Sequence, residues 1–388
     1  MKNSILYIVF SVILFIYGAL NYYIGLRGWQ AVGSHITGLN ATIYWLFFWL
    51  LAMSYLGARL IGKFLPTRID QALTTIGAFW LAAMFYFVLI LTVIDLIPLF
   101  DKWLGFLPAG IQNNPQTAPV VGLVILAIVT GLLVYGFWNA RHPEVRHYDL
   151  TIQKQAGSLN RLHIVMVSDI HLGTIVHNGQ LVKMTEMINK LQPDLVLFAG
   201  DIIDENIETF VEQKMTDSFR QLKPKLGTYA VFGNHEYIGG HAEEADRYLR
   251  EAGVKVLRDH SVKVAGSFYV IGRDDRSGQR FTGVQRQKLA ELMSGIDRSL
   301  PVILLDHQPV NLEEPEKQGV DLQLSGHTHR GQMFPNQFIT GRIYEVDWGY
   351  LRKGNLQVIV SSGFGTWGPP IRVGNTPEIV DIVIHFNQ

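Results

Sequence analysis

Pro193-Asp194-Leu195-Val196-Leu197-Phe198-Ala199-Gly200-Asp201-Ile202-Ile203-Asp204 is the stretch on which the reading of this chain turns. Leu195 to Ala199 is a short, continuous apolar run, the signature of a strand buried on both faces. It stops at Gly200, and a carboxylate follows. An Asp placed where a buried strand ends lies at the rim of the sheet, where open α/β sheets bind their ligands. One such Asp is common. Here three other apolar runs in the same half also end in Asp, Asn or His, so Asp201 reads as a carboxylate bridging two metal ions.

Residues 161–168 predict a strand that runs into Asp169-Ile170-His171. Residues 178–191 carry Leu181, Met184, Met187, Ile188 and Leu191 at helical spacing, just before the 195–199 strand. Strand, helix and strand make a βαβ unit. Asp169 and Asp201 then end neighbouring parallel strands on one sheet edge, where two carboxylates can share metals. Downstream, helices are expected over 207–222, 241–252 and 284–293. Strands are expected over 228–232, 254–257, 268–272, 301–305 and 320–324. Residues 145–152 read as an edge strand, and 357–360 and 379–386 as strands around an apolar loop. The local order alone allows a single doubly wound sheet.

Eight side chains stand just past these strand ends: Asp169, His171, Asp201, Asn234, His235, His307, His327 and His329. The 388-residue chain has no cysteine, which removes disulfides, zinc–thiolate sites and thiol nucleophiles and leaves His, Asp, Glu and Asn as ligands. Mixed imidazole and carboxylate sets suit Mn, Fe and Zn better than Ca or Mg. The glycines before Asp201, Asn234 and His327 are expected to allow sharp turns. In Asp169-x-His171 and His327-x-His329, alternate residues of extended chain are expected to point the same way.

In this order, Asp169-Ile170-His171, Gly200-Asp201-Ile202-Ile203-Asp204, Gly233-Asn234-His235-Glu236, a lone His307 and Gly326-His327-Thr328-His329 resemble the motifs of the calcineurin-like metallophosphoesterases. The match runs from residue 162 to about 332. The resemblance implies an α/β (α+β) domain with a central β-sandwich flanked by helices. It also implies one metal held by Asp169, His171, Asp201 and His329, and a second held by Asp201, Asn234, His307 and His327. His235 would meet the substrate phosphate as general acid or charge stabiliser. Two metals about 3.5–4 Å apart lower the pKa of a bridging water to give hydroxide and neutralise phosphate oxygens. An imidazole can protonate the leaving alkoxide. Manganese is the first expectation for both ions, with iron, zinc or nickel as alternatives. Asp204 and Glu236 are expected to hold a loop or orient a ligand. Arg330, Trp367 and Arg372 are candidate substrate contacts, and the apolar loop 363–372 is expected to line the site or touch a membrane.

Up to about residue 138 the chain is apolar and thinly charged; from Arg141 onward charge is ordinary. Apolar segments at about 5–24, 41–61, 72–100 and 119–138 each reach or approach the ~20 residues that cross a bilayer core. The expected organisation is a four-helix transmembrane anchor over 1–140 and a catalytic domain over 141–388. Trp45, Trp49, Trp80, Trp103 and Trp138 fall in or at the ends of these segments, several where aromatic belts form. Lys2, Arg59, Lys63, Arg68, Arg141 and Arg146 outnumber Arg27 and Lys102 across the connections. That bias places the N-terminus and the catalytic domain inside, in a multi-pass protein of the inner or plasma membrane with a cytoplasmic catalytic domain. Asp95 reads as an interfacial acid.

Formal net charge is zero, mean hydropathy is +0.17, and no basic, aromatic-interleaved groove is present, so nucleic acid is not an expected partner. The expected function is a metal-dependent phosphodiesterase or phosphatase, anchored in the lipid bilayer and acting on a lipid-linked or other phosphoester. A UDP-2,3-diacylglucosamine-type pyrophosphate hydrolase is one alternative. A membrane sensor or scaffold with a weakly active phosphoesterase domain is another, which the complete ligand set disfavours. Oligomeric state has no signature in the sequence.

Overall fold

The chain falls into two compact units, Met1–Gly136 and Phe137–Gln388. The computed structural model describes residues 2–204 and 206–387; the side chains of Lys2 and Lys63, counted in the charge bias above, lie outside the described residues.

The first unit is helical. Segments Tyr7–His35, Thr67–Leu104 and Thr117–Asn139 are each long and apolar enough to cross a membrane. The expected span over 41–61 is broken into Ala41–Ala52 and Ser54–Ile61, bent by 52°, and makes a fourth crossing only as one broken span. Asn40 starts the first piece, its side chain accepting from the N–H groups of Thr42 and Ile43 at 2.7 and 3.3 Å. At the break, Ser54 turns its hydroxyl back onto the Leu51 carbonyl at 2.6 Å, a bond of the kind that bends helices. Arg27 belongs to the helix Lys2–Ala31 rather than to a connection. It pairs with Asp95, inside the helix Thr67–Leu104, so each charge has an opposite partner. Trp80 is buried and donates its indole N–H to Asn21 at 2.8 Å, which makes it a core residue and not part of a belt.

The second unit holds two six-stranded sheets. The first contains β1 (Glu144–Ile152), β2 (Arg161–Val167), β3 (Leu195–Ala199), β4 (Thr228–Val231), β5 (Val254–Val256) and β12 (Glu378–Phe386), ordered β1-β12-β2-β3-β4-β5. The second contains β6 (His260–Val264), β7 (Phe268–Gly272), β8 (Val302–Leu305), β9 (Leu322–Ser325), β10 (Gly349–Lys353) and β11 (Leu356–Val360), ordered β10-β11-β9-β8-β7-β6. Strands β2 to β5 run parallel in one sheet, and β7, β8, β9 and β11 in the other. The result is a sandwich, not one doubly wound sheet.

Packing follows the period of two. Leu162, Ile164, Met166, Leu195 and Leu197 meet Val270, Ile303, Leu305 and Leu322 between the sheets. Val165, Val167, Val196 and Phe198 face the other way, onto helix residues such as Met184, Ile188 and Phe219. Burial on both faces is what the unbroken run at 195–199 requires. The expected helix over 207–222 is two, Ile207–Glu212 and Met215–Phe219, parted at Lys214 in the left-handed region (φ 52°). That expected over 284–293 shrinks to Leu289–Leu292. Strands β6 and β10 had no signal; both are sheet-edge strands half open to solvent, whose pairing with β7 and β11 carries them.

Candidate metal centre

All eight candidate side chains follow parallel strands at one end of the sandwich. Asp169, Asp201, His307 and His327 each stand two residues beyond their strands, β2, β3, β8 and β9. The ligand pairs are not aimed by extended chain, as expected above. Asp169 and His171 (both φ 52°), Asp201 (51°), His327 (73°) and His329 (47°) are left-handed. Such residues cost of order 1–3 kcal/mol each and persist only where surroundings over-determine them. Here the backbone is pinned: Asp169 N–H donates to the Gly200 carbonyl at 3.0 Å, and Ile170 and His171 N–H both donate to the Asp201 carbonyl at 2.8 and 3.0 Å. The preceding glycines serve clearance as much as turning. A Cβ on Gly233 would lie 2.1 Å from Asp201 Oδ1, and one on Gly326 2.1 Å from Asp169 Oδ2.

The side chains converge. Ligand atoms of Asp169, His171 and His329 lie within 4.8 Å of one another, as do those of Asp201, His307 and His327 and those of His171, Asp204 and His235. Asp201 Oδ2 lies 3.1 Å from His307 Nε2 and 3.8 Å from His171 Nε2, between the two sets. His171 and His329 bring their Nε2 atoms to 3.0 Å. Asp169 also accepts from His327 N–H with both oxygens at 2.9 and 3.0 Å, and Asp201 Oδ1 from His235 N–H at 2.9 Å.

Burial alone would push the Asp201 carboxyl up, but the imidazoles of His307, His235 and His171 outweigh it and hold it well below the usual carboxylate range. Burial likewise opposes charge on His307, yet Asp201 raises it well above the ordinary imidazole value. Burial lowers His329, helped by His171 and Arg372, and burial with His307 lowers His327. His235 overcomes burial and is raised to about 9 by its 3.0 Å hydrogen bond to Asp204 and by Asp201. Burial and the Asp201 charge push Glu236 up to about 7. These directions belong to the protein groups alone; a dication selects neutral rings and ionised carboxylates.

The donor set fits metal ions. His307 Nδ1 donates to the Ala199 carbonyl at 2.8 Å, which fixes the tautomer and leaves Nε2 as a lone-pair donor. His307 Nε2 and Asn234 Oδ1 are buried with no hydrogen-bond partner. His329 departs from this pattern: the guanidinium of Arg372 points at its Nδ1 from 3.3 Å, where a ring binding metal through Nε2 would carry its own proton.

Of the three candidate substrate contacts, only Trp367 lines the cleft over the site, a cavity of about 350 Å³ bordered by Asp201, Asn234, His235, His327 and His329. Its ring lies 5.8 Å from that of His235. Arg372 is fully buried, spending its guanidinium on the Gly363 and Gly365 carbonyls, Asn375 and His329, so it backs His329 and does not face the cleft. Arg330 stacks on Trp348 at 3.9 Å and is not among the lining residues. Glu236 holds the Asp201 loop, accepting from Ile202, Ile203 and Gly233 N–H at 2.7–2.9 Å. Sequence reasoning missed Gln332, whose side chain clips the Trp367 loop by three hydrogen bonds of 2.9–3.0 Å. It also missed the cleft wall of Asn336, Ile339 and Thr340; the signal available was an apolar cluster, Phe338-Ile339 with Ile343, in an otherwise polar stretch.

The calcineurin-like phosphoesterase family model matches residues 162–331. An uncharacterised metallophosphoesterase of Aquifex aeolicus is 35% identical over 264 residues, covering 67% of this chain and 98% of that protein. A zebrafish transmembrane protein with a metallophosphoesterase domain is 32% identical over 277 residues, covering 68% of this chain and 62% of its own length. A solved 5′-nucleotidase precursor from Thermus thermophilus shares 14% identity at a TM-score of 0.36, over 58% of this chain and 54% of that one, too slight a likeness to argue from. The chain belongs to the calcineurin-like metallophosphoesterases, a family of phosphoester hydrolases.

Proposed function

We propose that this member of the family is a membrane-anchored phosphohydrolase that works with two divalent ions sharing Asp201. Residues 1–140 are the anchor and 141–388 the catalytic domain. Asp169, His171, Asp201 and His329 hold one ion; Asp201, Asn234, His307 and His327 hold the other. The observation that carries this reading is the buried Asn234 Oδ1, with no hydrogen-bond partner, and His307 Nε2, set 3.1 Å from the Asp201 carboxylate, the two following strands of different sheets. Leaving such groups unmatched costs about 1–3 kcal/mol each, which a cation offsets.

Two ions held there would supply a water of lowered pKa and positive charge to neutralise phosphate oxygens. His235, steadied at Nδ1 by Asp204, keeps Nε2 for protonating the leaving oxygen. Trp367 bounds the space for the ester's organic part. Manganese is the first occupant to test at both sites, and iron, zinc and nickel suit the same donors. The substrate is a phosphoester carried on a lipid, supported by the membrane-length helices of the same chain. The excess of Arg at 59, 68, 141 and 146 supports a cytoplasmic side for the catalytic domain.

Detergent-purified full chain, stripped of metal and resupplied with Mn²⁺, is expected to hydrolyse a generic aryl phosphodiester. His235→Ala should lower kcat about 10²–10⁴-fold. Assay of the matching monoester sorts diesterase from phosphatase. Failure on both esters with Mn²⁺, Fe²⁺, Zn²⁺ and Ni²⁺, by protein that binds those ions, would overturn the reading in favour of a sensor.

A further inference from the structure

The helix Gln337–Ile343 has no buried residue. With its neighbours it exposes Phe334, Phe338, Ile339, Ile343 and Trp367, each 46–67% open. The rings of Phe334 and Phe338 are 6.0 Å apart, and Ile339 and Trp367 also line the cleft over the metal ligands. The lip is therefore continuous with the reactive cavity. Arg342 is exposed on the same helix. Exposed aromatic and aliphatic side chains beside a cation are the composition of a surface that settles at the headgroup and acyl boundary of a bilayer, and a patch of this kind calls for a covering.

What covers it is indicated by the chain's own course. Asn139 ends the helix Thr117–Asn139, the last of membrane length. Its side-chain amide is buried and donates to the carbonyls of Arg372 and Asn375 at 3.0 and 2.7 Å. Between those residues, the Val373 carbonyl accepts from Phe334 N–H at 2.8 Å. The residue at which the chain leaves its last apolar helix is thus two hydrogen bonds from the lip, on the loop that also carries Trp367.

We propose that this lip seats in the bilayer and holds the acyl chains of a lipid phosphoester, whose headgroup reaches the metal ligands through the Ile339–Trp367 mouth of the cleft. The proposal rests on the phosphohydrolase reading of that cleft and adds the surface by which a lipid substrate is taken without leaving the bilayer.

The absence of native cysteine allows a single label. Full-chain protein carrying Ile343→Cys with an environment-sensitive fluorophore is placed in nanodiscs containing phosphatidylcholine brominated on its acyl chains. Strong quenching is expected there, and none at Ser299→Cys, an exposed site before β8, at the opposite end of the strands. No quenching at Ile343→Cys, or equal quenching at both, would overturn the proposal. In a second arm, kcat/KM is compared for an aryl phosphodiester with a decyl tail and one with a methyl group. The tailed-to-short ratio should fall about tenfold or more in Phe338→Ser/Ile343→Ser, and an unchanged ratio counts against the lip. If neither ester is cleaved, the phosphohydrolase reading fails while the quenching result still decides the lip.

Discussion

Two stretches border the same cleft and are built in opposite ways. At the strand ends, Asp169, His171, Asp201, His327 and His329 take left-handed backbone, and all but His327 are buried. Their carboxylates and carbonyls are pinned from several sides. Across the cleft, Gln337–Ile343 is an ordinary short helix with nothing buried and bulky apolar groups in the open. Ligands must be held within fractions of an ångström, so their surroundings are rigid and close-packed. A surface meeting a fluid partner needs only apolar area.

Paired glycines expose the contrast. Gly326→Ala drives a Cβ to 2.1 Å from Asp169 Oδ2. It should abolish metal binding and hydrolysis together, read by metal analysis and the aryl phosphodiester assay. Asp204→Asn leaves the proposed ligands in place but takes the charge from the partner of His235. Activity should drop about 10–100-fold at undiminished metal content; loss of metal as well would move Asp204 into the ligand set. Gly341→Ala, on the lip helix, finds only ordinary contact, 3.9 Å from Asp347 Oδ2. It should leave hydrolysis intact and raise stability by about 0.5–1 kcal/mol through helix propensity, seen as a small rise in Tm.

The same contrast governs what the sequence discloses. The strand ends were legible because a carboxylate or imidazole after an unbroken apolar run is out of place for a core and in place for a sheet rim. The split into two sheets came only through the motif resemblance, since β2 to β4 and β7 to β9 have the same local pattern, and only long-range pairing assigns them to different sheets. The backbone of Asp169 and His171 was not legible: single left-handed residues are fixed by tertiary hydrogen bonds, such as those to Gly200 and Asp201, which have no local signature. Arg372 looked like a substrate contact because it closes the apolar loop 363–372 expected to line the site; its four partners lie in its own loop and on His329. The break at Met53 escaped notice because composition reports apolar length, not where Ser54 bonds back.

The most direct test counts metal. Full-length protein, purified in detergent, loaded with Mn²⁺ and freed of excess, is analysed for metal per chain by plasma mass spectrometry, alongside Asp201→Asn. About two ions per chain are predicted for the unaltered protein and about one or fewer for the variant, because the proposed site has Asp201 in both ligand sets. One ion or none in the unaltered protein, or two retained by Asp201→Asn, would contradict a dinuclear site bridged by that carboxylate.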